Sequence, residues 1–556
     1  MDAESNSALE PLATVSETAP GARPASRAGS WLGGMLVMSS MTVLSRILGL
    51  VRDIAMARLF GLSPVMDAFT IAFRIPNLSR KLFGEGALAT SFIPIFAREL
   101  VREDRTRAWR LASAVLGWLT VFLSVIVLVG ELGLLAWAQY GDVSAETLVL
   151  IELTAIMLPY MVLICLASQV GAVLNSLGHF RWPATVPVVL NAVWLVGAWW
   201  VTPWFEDTVA KAHVLGACIL VSGCLQLLVQ WPALHGVGFR FHWDWAEVRP
   251  QVREIMTTML PVVLGLSITQ INTVCDSMFA WAFSHPIGNP AAVMPLPGHP
   301  TYPLSAGAVS ALYYGERMYQ FPLGVFGVAL GTAIFPMLAR HAARGEMEQL
   351  KADLSLGLRL VLVIGVPASA ALMWIAHPVA RCLFERGEFT PADTIRTAWI
   401  IAAYGCGVWA YCGLLILQRG CYAIGDRITP LRLGMISVAF NFVLNFALIW
   451  VFAEGGLALS TSFCAMLQVG GLLWAIQHRL GQLEGGPLIR CLVRTLLATT
   501  VMSAVGMGLI SLGNQSGWWS GKIPGLVVPC LGASAAYLWA AWCLKLDDLW
   551  ILLRRR

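Results

Sequence analysis

Charge is scarce in this chain. Only 12% of its 556 residues are Asp, Glu, Lys or Arg, whereas 57% are hydrophobic and the mean hydropathy is +0.70. An ordinary soluble domain carries roughly a quarter charged residues, so a freely soluble protein is excluded. Long polar stretches are missing as well, which leaves no room for a soluble ATPase. The 12 cysteines lie in or beside apolar segments and none forms a C-x-x-C pair. That pattern reads as small buried hydrophobes, not as disulfides or a metal site. Residues 1–30 lack both an apolar core and a small-residue cleavage site, so they read as a disordered cytoplasmic tail and not as a signal peptide. The run Gly517-Trp518-Trp519-Ser520-Gly521-Lys522-Ile523 has the wrong spacing for a phosphate loop and no Ser or Thr after the lysine. No carboxylates cluster at metal-binding spacing and no nucleophile–base pair stands out, so nothing points to an enzyme. The net charge of +5 does not imply nucleic acid, because the basic residues gather at the ends of apolar segments.

What the chain does have is long continuous apolar runs, not ten-residue alternating strands, and so an all-α integral membrane protein is expected. A window of about 20 apolar residues picks out about fourteen transmembrane helices. They fall near 31–60, 67–98, 107–137, 146–177, 183–203, 212–234, 251–283, 307–340, 352–377, 393–424, 430–453, 457–479, 488–513 and 524–546. Alternate loops are basic: Arg98, Arg102, Arg105, Arg107 and Arg110 follow the second span, and Arg240, Arg249 and Arg253 the sixth. The opposite loops are acidic or neutral, as at Asp142, Glu146, Glu206 and Asp207. By the positive-inside rule both termini are cytoplasmic.

Two halves of the chain resemble each other. Phe92-Ile93-Pro94-Ile95-Phe96-Ala97-Arg98 matches Ile334-Phe335-Pro336-Met337-Leu338-Ala339-Arg340, and GHFRWP at Gly178 matches GDRITP at Gly425. The expected organisation is a 1–30 tail, an N-terminal lobe over 31–240, a C-terminal lobe over 241–482 and a further helix pair over 483–556. Two pseudo-symmetric six-helix lobes around a central cavity are a transporter design with the cargo site between them.

The charges are concentrated where apolarity should forbid them. Arg46, Arg52, Asp53, Asp67, Arg74, Arg80, Lys81 and Glu85 all lie in or beside the first two spans. Each would cost on the order of 3 kcal/mol at the bilayer centre, so most must line a protein interior or a wet cavity. Five of the eight are basic, which suggests an anionic cargo. Guanidinium groups fork onto phosphate oxygens, and Arg46, Arg52 and Arg80 from one half with Arg317 from the other suit a pyrophosphate. Asp53, Asp67, Glu85 and Glu316 are candidates to trade partners with them, while Arg58 and Arg74 read as purely structural. A second constellation, Asp276, Asn441, Asn445 and Thr461, offers oxygen ligands for a sodium ion or a proton-coupled site.

The stretches SSMTVLSRILGLVRDIAMARLFG and MDAFTIAFRIPNLSRKLFGEGALATSFIPIF, with YYGERMYQFPLGVFGVALGTAIFP, resemble the MurJ (MviN) family of bacterial lipid II flippases. That family belongs to the multidrug/oligosaccharidyl-lipid/polysaccharide exporter superfamily. The resemblance runs from about Met35 to the C-terminus. It implies two six-helix lobes and a C-terminal helix pair forming a groove for a polyprenyl tail. By position it places functional roles on Arg46, Arg52, Asp53, Asp67, Arg80, Glu85, Ser310 and Arg317. The chain departs from the family pattern at Glu316, where Asp is common, at Asn445, where the family's cation site carries Asp, and in a longer 284–306 loop.

The function implied is movement of undecaprenyl-pyrophosphate-linked disaccharide-pentapeptide from the cytoplasmic to the periplasmic leaflet of the inner membrane, by alternating access. Lipid II, membrane lipids and other cell-wall synthesis proteins are the implied partners. No cofactor is expected beyond sodium or proton coupling and the membrane potential. The alternatives are a flippase for another polyprenyl-pyrophosphate-linked glycan, a drug exporter, whose cavity would be acidic and aromatic, and a non-transporting cell-wall scaffold.

Overall fold

A computed structural model describes residues 25–553 apart from 85, 102–104, 287–291, 296–297, 484, 518 and 520. The described residues are almost entirely helical and contain no strand, only isolated bridges pairing Ser284 with Leu304 and Val293 with Thr301. In chain order the first helices are α1 (Ala25–Phe60), α2 (Pro64–Ser79), α3 (Ala87–Leu100), α4 (Thr106–Tyr140), α5 (Ala145–Met157), α6 (Tyr160–Ser176), α7 (Arg181–Val196), α8 (Thr208–Gly236) and α9 (Arg249–Ala282). Then come α10 (Ala308–Pro322), α11 (Val328–Arg344), α12 (Met347–Leu383), α13 (Pro391–Gly405), α14 (Val408–Ala423), α15 (Ile428–Phe452) and α16 (Glu454–Leu480). Helices α17 (Gly485–Ser516), α18 (Pro524–Cys543) and α19 (Asp547–Leu553) close the chain.

The end of the expected tail differs from its reading. Helix α1 begins at Ala25, so residues 25–30 are helical. Residues 1–24 lie outside the described residues.

Among the described residues eleven helical segments are long and apolar enough to cross a membrane, or twelve if the two halves of α9, which bend by 40° between Ser267 and Gln270, count as one. The expected count of fourteen would add the first two segments, Ala25–Phe60 and Pro64–Leu100. Both are helical but carry the concentrated charges, and they are not among the eleven. Large apolar side chains such as Val121, Leu128 and Leu132 on α4 stay exposed, as lipid-facing surface must be.

The helices sort into packed groups. In the first part of the chain α1 packs on α7, α2 on α5, and α6 and α7 on α8. In the second part α12 packs on α13 and α14, α14 on α16, and α15 on α16. The final pair, α17 and α18, pack on each other and on α12, where the Tyr537 hydroxyl donates to the Val363 carbonyl at 2.6 Å.

The sequence repeat has a structural counterpart. After α6 and after α14 the chain turns through a left-handed glycine, Gly178 with φ +81° and Gly425 with φ +80°. In both turns the following residue reaches back five positions: His179 N–H donates to Leu174 at 2.9 Å and Asp426 N–H donates to Cys421 at 2.9 Å. This is the glycine-closed helix end, open to glycine because it has no Cβ to clash. A π-turn follows α2 directly, at Arg80–Gly84, and another joins α10 to α11, at Leu323–Gly327, at matching places in the repeat.

Candidate functional site

The two halves meet at the start of α10. Its N-terminal residue Gly307 is left-handed (φ +87°) and offers no side chain to cap the helix; an added Cβ would lie 2.6 Å from the Leu62 carbonyl oxygen. The cap comes instead from Asp67 on α2. Its carboxylate accepts from Gly307 N–H at 2.9 Å, Ser310 N–H at 2.6 Å and the Ser310 hydroxyl at 2.5 Å. Asp67 also sits in the first turn of its own helix, behind Ser63, which caps Met66 N–H. Two helix N-termini therefore share one carboxylate, which both of their dipoles favour. Beside it, Glu388 N–H donates to the Arg58 carbonyl at 3.0 Å, and Gly61 (φ +57°) lies against the Glu388 carbonyl. Arg58 thus serves this junction through its backbone.

One to two turns deeper, a second cross-half network surrounds Asp53, which is buried. Arg52 pairs with Asp53 at 2.8 Å, donates to Asn191 Oδ1 at 3.1 Å and to the Tyr313 hydroxyl at 3.2 Å, and lies 4.5 Å over the Trp194 ring. Arg317 on α10 pairs with the other Asp53 oxygen at 3.3 Å and donates to Tyr313 at 3.1 Å. Tyr313 itself donates to Asp53 at 2.9 Å. A single carboxylate thus holds one guanidinium from each half. Arg74 pairs with Glu316 at 3.4 Å and donates to the Thr273 carbonyl at 2.8 Å, the structural role read for it from sequence.

The other two expected cargo arginines stand apart from this network. Arg46 is exposed on α1, and its guanidinium lies so close to Gly324 of the second π-turn that a Cβ there would sit 2.5 Å from it. Arg80 opens the first π-turn, half-buried, with Lys81 following and donating to Gln270 at 3.1 Å. Such turns break the regular ladder and recur at functional sites. Glu85 lies outside the described residues.

The second constellation comes together in full. Asp276 on α9 accepts from Asn445 at 2.6 Å and from Thr461 at 3.2 Å, and Asn445 donates to Asn441 at 3.0 Å. Asn441 in turn donates to Ser460 at 3.1 Å, and the Ser460 hydroxyl reaches Asn445 Oδ1. Helices α9, α15 and α16 are tied at this point. Among the described residues no three His, Cys, Asp or Glu side chains form a metal-binding group.

Sequence reasoning missed Asn191, Trp194 and Ser460 as members of these networks. Asn191 is a lone amide in the apolar run PVVLNAVWLV, a signal visible in the sequence, but nothing there says that its partner is Arg52.

A profile of the lipid II flippase MurJ family matches residues 56–527. The chain belongs to this family. A probable lipid II flippase MurJ of Vibrio cholerae serotype O1 is 34% identical over 460 residues, covering 80% of this chain and 82% of that protein. The lipid II flippase MurJ of Burkholderia cenocepacia is 32% identical over 443 residues, covering 78% and 81%. A solved lipid II flippase MurJ in an inward closed conformation shares the fold with a TM-score of 0.73 at 21% identity, over 93% of this chain and 100% of that one. An inward-facing multidrug resistance MATE family transporter of the MOP superfamily does so with a TM-score of 0.62 at 14% identity, over 81% and 99%. As a member of the family the chain is a lipid II flippase, a multi-pass transporter of the bacterial inner membrane serving peptidoglycan synthesis, and not an enzyme.

Proposed function

We propose that the pyrophosphate of lipid II enters between the two lobes from the cytoplasmic side and meets Arg46 and Arg80 first, then Arg52 and Arg317. The observation that carries this reading is Asp53 holding Arg52 and Arg317 from opposite lobes. A phosphate oxygen is chemically equivalent to a carboxylate oxygen as a guanidinium acceptor, so the cargo competes with Asp53 for both arginines. Displacing Asp53 loosens the inner lock, beside which the Arg74–Glu316 pair lies, and leaves the Asp67 cap on the start of α10 as the outer one. Opening those and closing the opposite end delivers the head group outside, and the two arrangements differ in which anion the arginines hold.

In this reading both termini are cytoplasmic, the lobes are 31–240 and 241–482, and the polyprenyl tail stays in lipid along α17 and α18. A potential negative inside favours outward movement of an anion by about 2.3 kcal/mol per charge per 100 mV. The Asp276, Asn441, Asn445 and Thr461 group has the donor types for a monovalent cation on three helices; the Asn445 amide nitrogen faces Asp276 here, so binding requires that amide to turn its oxygen inward. Sodium there would tie α9 to α15 and α16. The longer 284–306 loop suits a contact with other cell-wall synthesis proteins on the outer face.

The test is leaflet exposure of lipid II in cells depleted of this protein and of any other flippase, then rescued with wild type or Arg52→Ala. Internal accumulation relieved only by wild type supports the reading. Unchanged exposure on depletion overturns it.

A further inference from the structure

The segment that joins the lobes, residues 237–248, is not a slack tether. After the left-handed turn at Gly238 it doubles back along α4. Phe239 meets Trp109 edge-on at 5.6 Å, His242 N–H donates to the buried Ser113 hydroxyl at 3.1 Å, and the Trp245 ring fills the space over Gly117, where a Cβ would lie 2.5 Å away. Trp245 Nε1 also donates to the His242 carbonyl at 2.7 Å, and Glu247 pairs with Arg110. The outer two aromatic rings of the segment, Phe239 and Trp245, are thereby seated on the protein, but the two between them are not. Trp243 is 83% exposed and Phe241 43% exposed, and they pack edge-to-face on each other at 4.9 Å.

Their depth follows from α4. The helix's band of exposed large apolar side chains starts at Val121. At 1.5 Å per residue, Gly117 lies about 6 Å and Ser113 about 12 Å beyond that edge. The headgroup layer adds roughly 5–8 Å to each side of the hydrocarbon core, so the Gly117 level lies within it and Trp243, between the two docked points, lies at its outer edge. The charge there is one-sided. Asp244 caps its own turn at Ala246 N–H (3.2 Å), Glu247 is taken by Arg110 and Glu254 by Arg98, whereas no carboxylate pairs with Arg240, Arg249 or Arg253 among the described residues. Arg249 and Arg253 also line an open hollow of about 510 Å³ with Pro250, Glu254 and Thr257.

We propose that residues 237–248 form a membrane-surface anchor, with Phe241 and Trp243 inserted among headgroups and Arg240, Arg249 and Arg253 on the phosphates of anionic phospholipid. Aromatic rings with one wet edge favour that layer, and arginine favours phosphate. The anchor holds the α4 side of the first lobe at fixed depth while the second lobe moves against it.

The test uses the full-length chain with a benzoylphenylalanine photo-crosslinker at Phe241 or Trp243, in native membranes and in vesicles of phosphatidylethanolamine and phosphatidylglycerol. Trp231, exposed on α8, is the lipid-facing control. Lipid adducts at 241 and 243 as at 231, with the phosphatidylglycerol share falling about threefold in an Arg240→Gln, Arg249→Gln, Arg253→Gln variant, support the anchor. Adducts at 231 but none at 243 overturn it. Protein adducts at 243 in native membranes overturn it too and give the surface to a protein partner. Lipid adducts indifferent to the arginines overturn the anionic recognition.

Discussion

Arg74 and Glu316 form an ion pair at 3.4 Å and stand 242 residues apart, the same offset that relates Phe92 to Ile334 in the internal repeat. Asp67 and Ser310, 243 apart, are bonded as well. Residues at equivalent places in two symmetric units meet only on the axis between them. The lock between the lobes is therefore built on the pseudo-two-fold axis, and its asymmetry lies in sequence: base against acid, acid against hydroxyl.

An ion pair on the axis can be exchanged between its two positions. Arg74→Glu and Glu316→Arg alone leave like charges facing each other in a half-buried site and should each lower lipid II flipping. The double variant should recover much of it, with a coupling of about 1 kcal/mol in a double-mutant cycle. Complementation of depleted cells measures this; double and single variants that are equally defective would show that the pair has no role in closure.

Arg52 makes three different contacts at once, to Asp53, Asn191 and Tyr313. Lysine has one compact ammonium group and cannot reproduce that fork. Arg52→Lys should lose about tenfold in flipping, close to Arg52→Ala, while protein level and membrane insertion stay normal. Quantifying lipid II in the outer leaflet decides it, and a fully active lysine variant would show that the three-way fork is not needed.

Gly61 has φ +57° with the Glu388 carbonyl where a side chain would begin. Gly61→Ala adds about 1 kcal/mol of backbone strain and a clash with main chain that has no rotamer to turn away. It should hold the outer junction open and abolish flipping. Ser310→Ala removes one of three bonds to Asp67 and should cost about 1 kcal/mol, leaving partial activity. Distances between spin labels on the 61–63 and 386–389 turns report the opening directly.

The turn between α14 and α15 has its own pH signature. Burial works against the charged form of Asp426, but hydrogen bonds from Thr429 and Ile428 and the Arg479 guanidinium at 3.0 Å outweigh it and hold the carboxyl below its ordinary value. A depressed folded value means the stabilisation is complete above the unfolded pKa of about 3.9 and fades as pH falls through the lower folded one. Hydrogen-exchange protection of residues 425–429, corrected for intrinsic rates, should stay flat from neutral pH to about 5 and drop only below about 4. Asp426→Asn should show reduced protection throughout. Loss of protection already near pH 6 would contradict the assignment.

Much of the architecture was legible because the bilayer restricts the options so severely. Apolar runs of spanning length must be helices, and the charges in the first two segments must point away from lipid. The repeat was visible in Pro94 and Pro336 and in Gly178 and Gly425, residues whose backbone demands leave few substitutes. Arg52, Asp53, Asp67, Ser310 and Arg317 stood out for charge or for family resemblance. Their pairings did not, since Asp53 has several arginines within reach along the chain and only the crossing of α1, α7 and α10 brings Tyr313 and Arg317 to it and Asn191 to Arg52. The bend in α9 and the register of the two π-turns were likewise invisible, because packing sets them and composition does not.

By itself, then, the sequence determined a helical membrane protein with a two-fold repeat and a cationic interior, since hydrophobic transfer and the cost of a charge in lipid act on each segment separately. Only the tertiary structure decided that Asp67 caps a helix of the other lobe and that one carboxylate restrains two arginines. Those are contacts between segments some 240 residues apart, and their geometry is set by how the whole bundle packs.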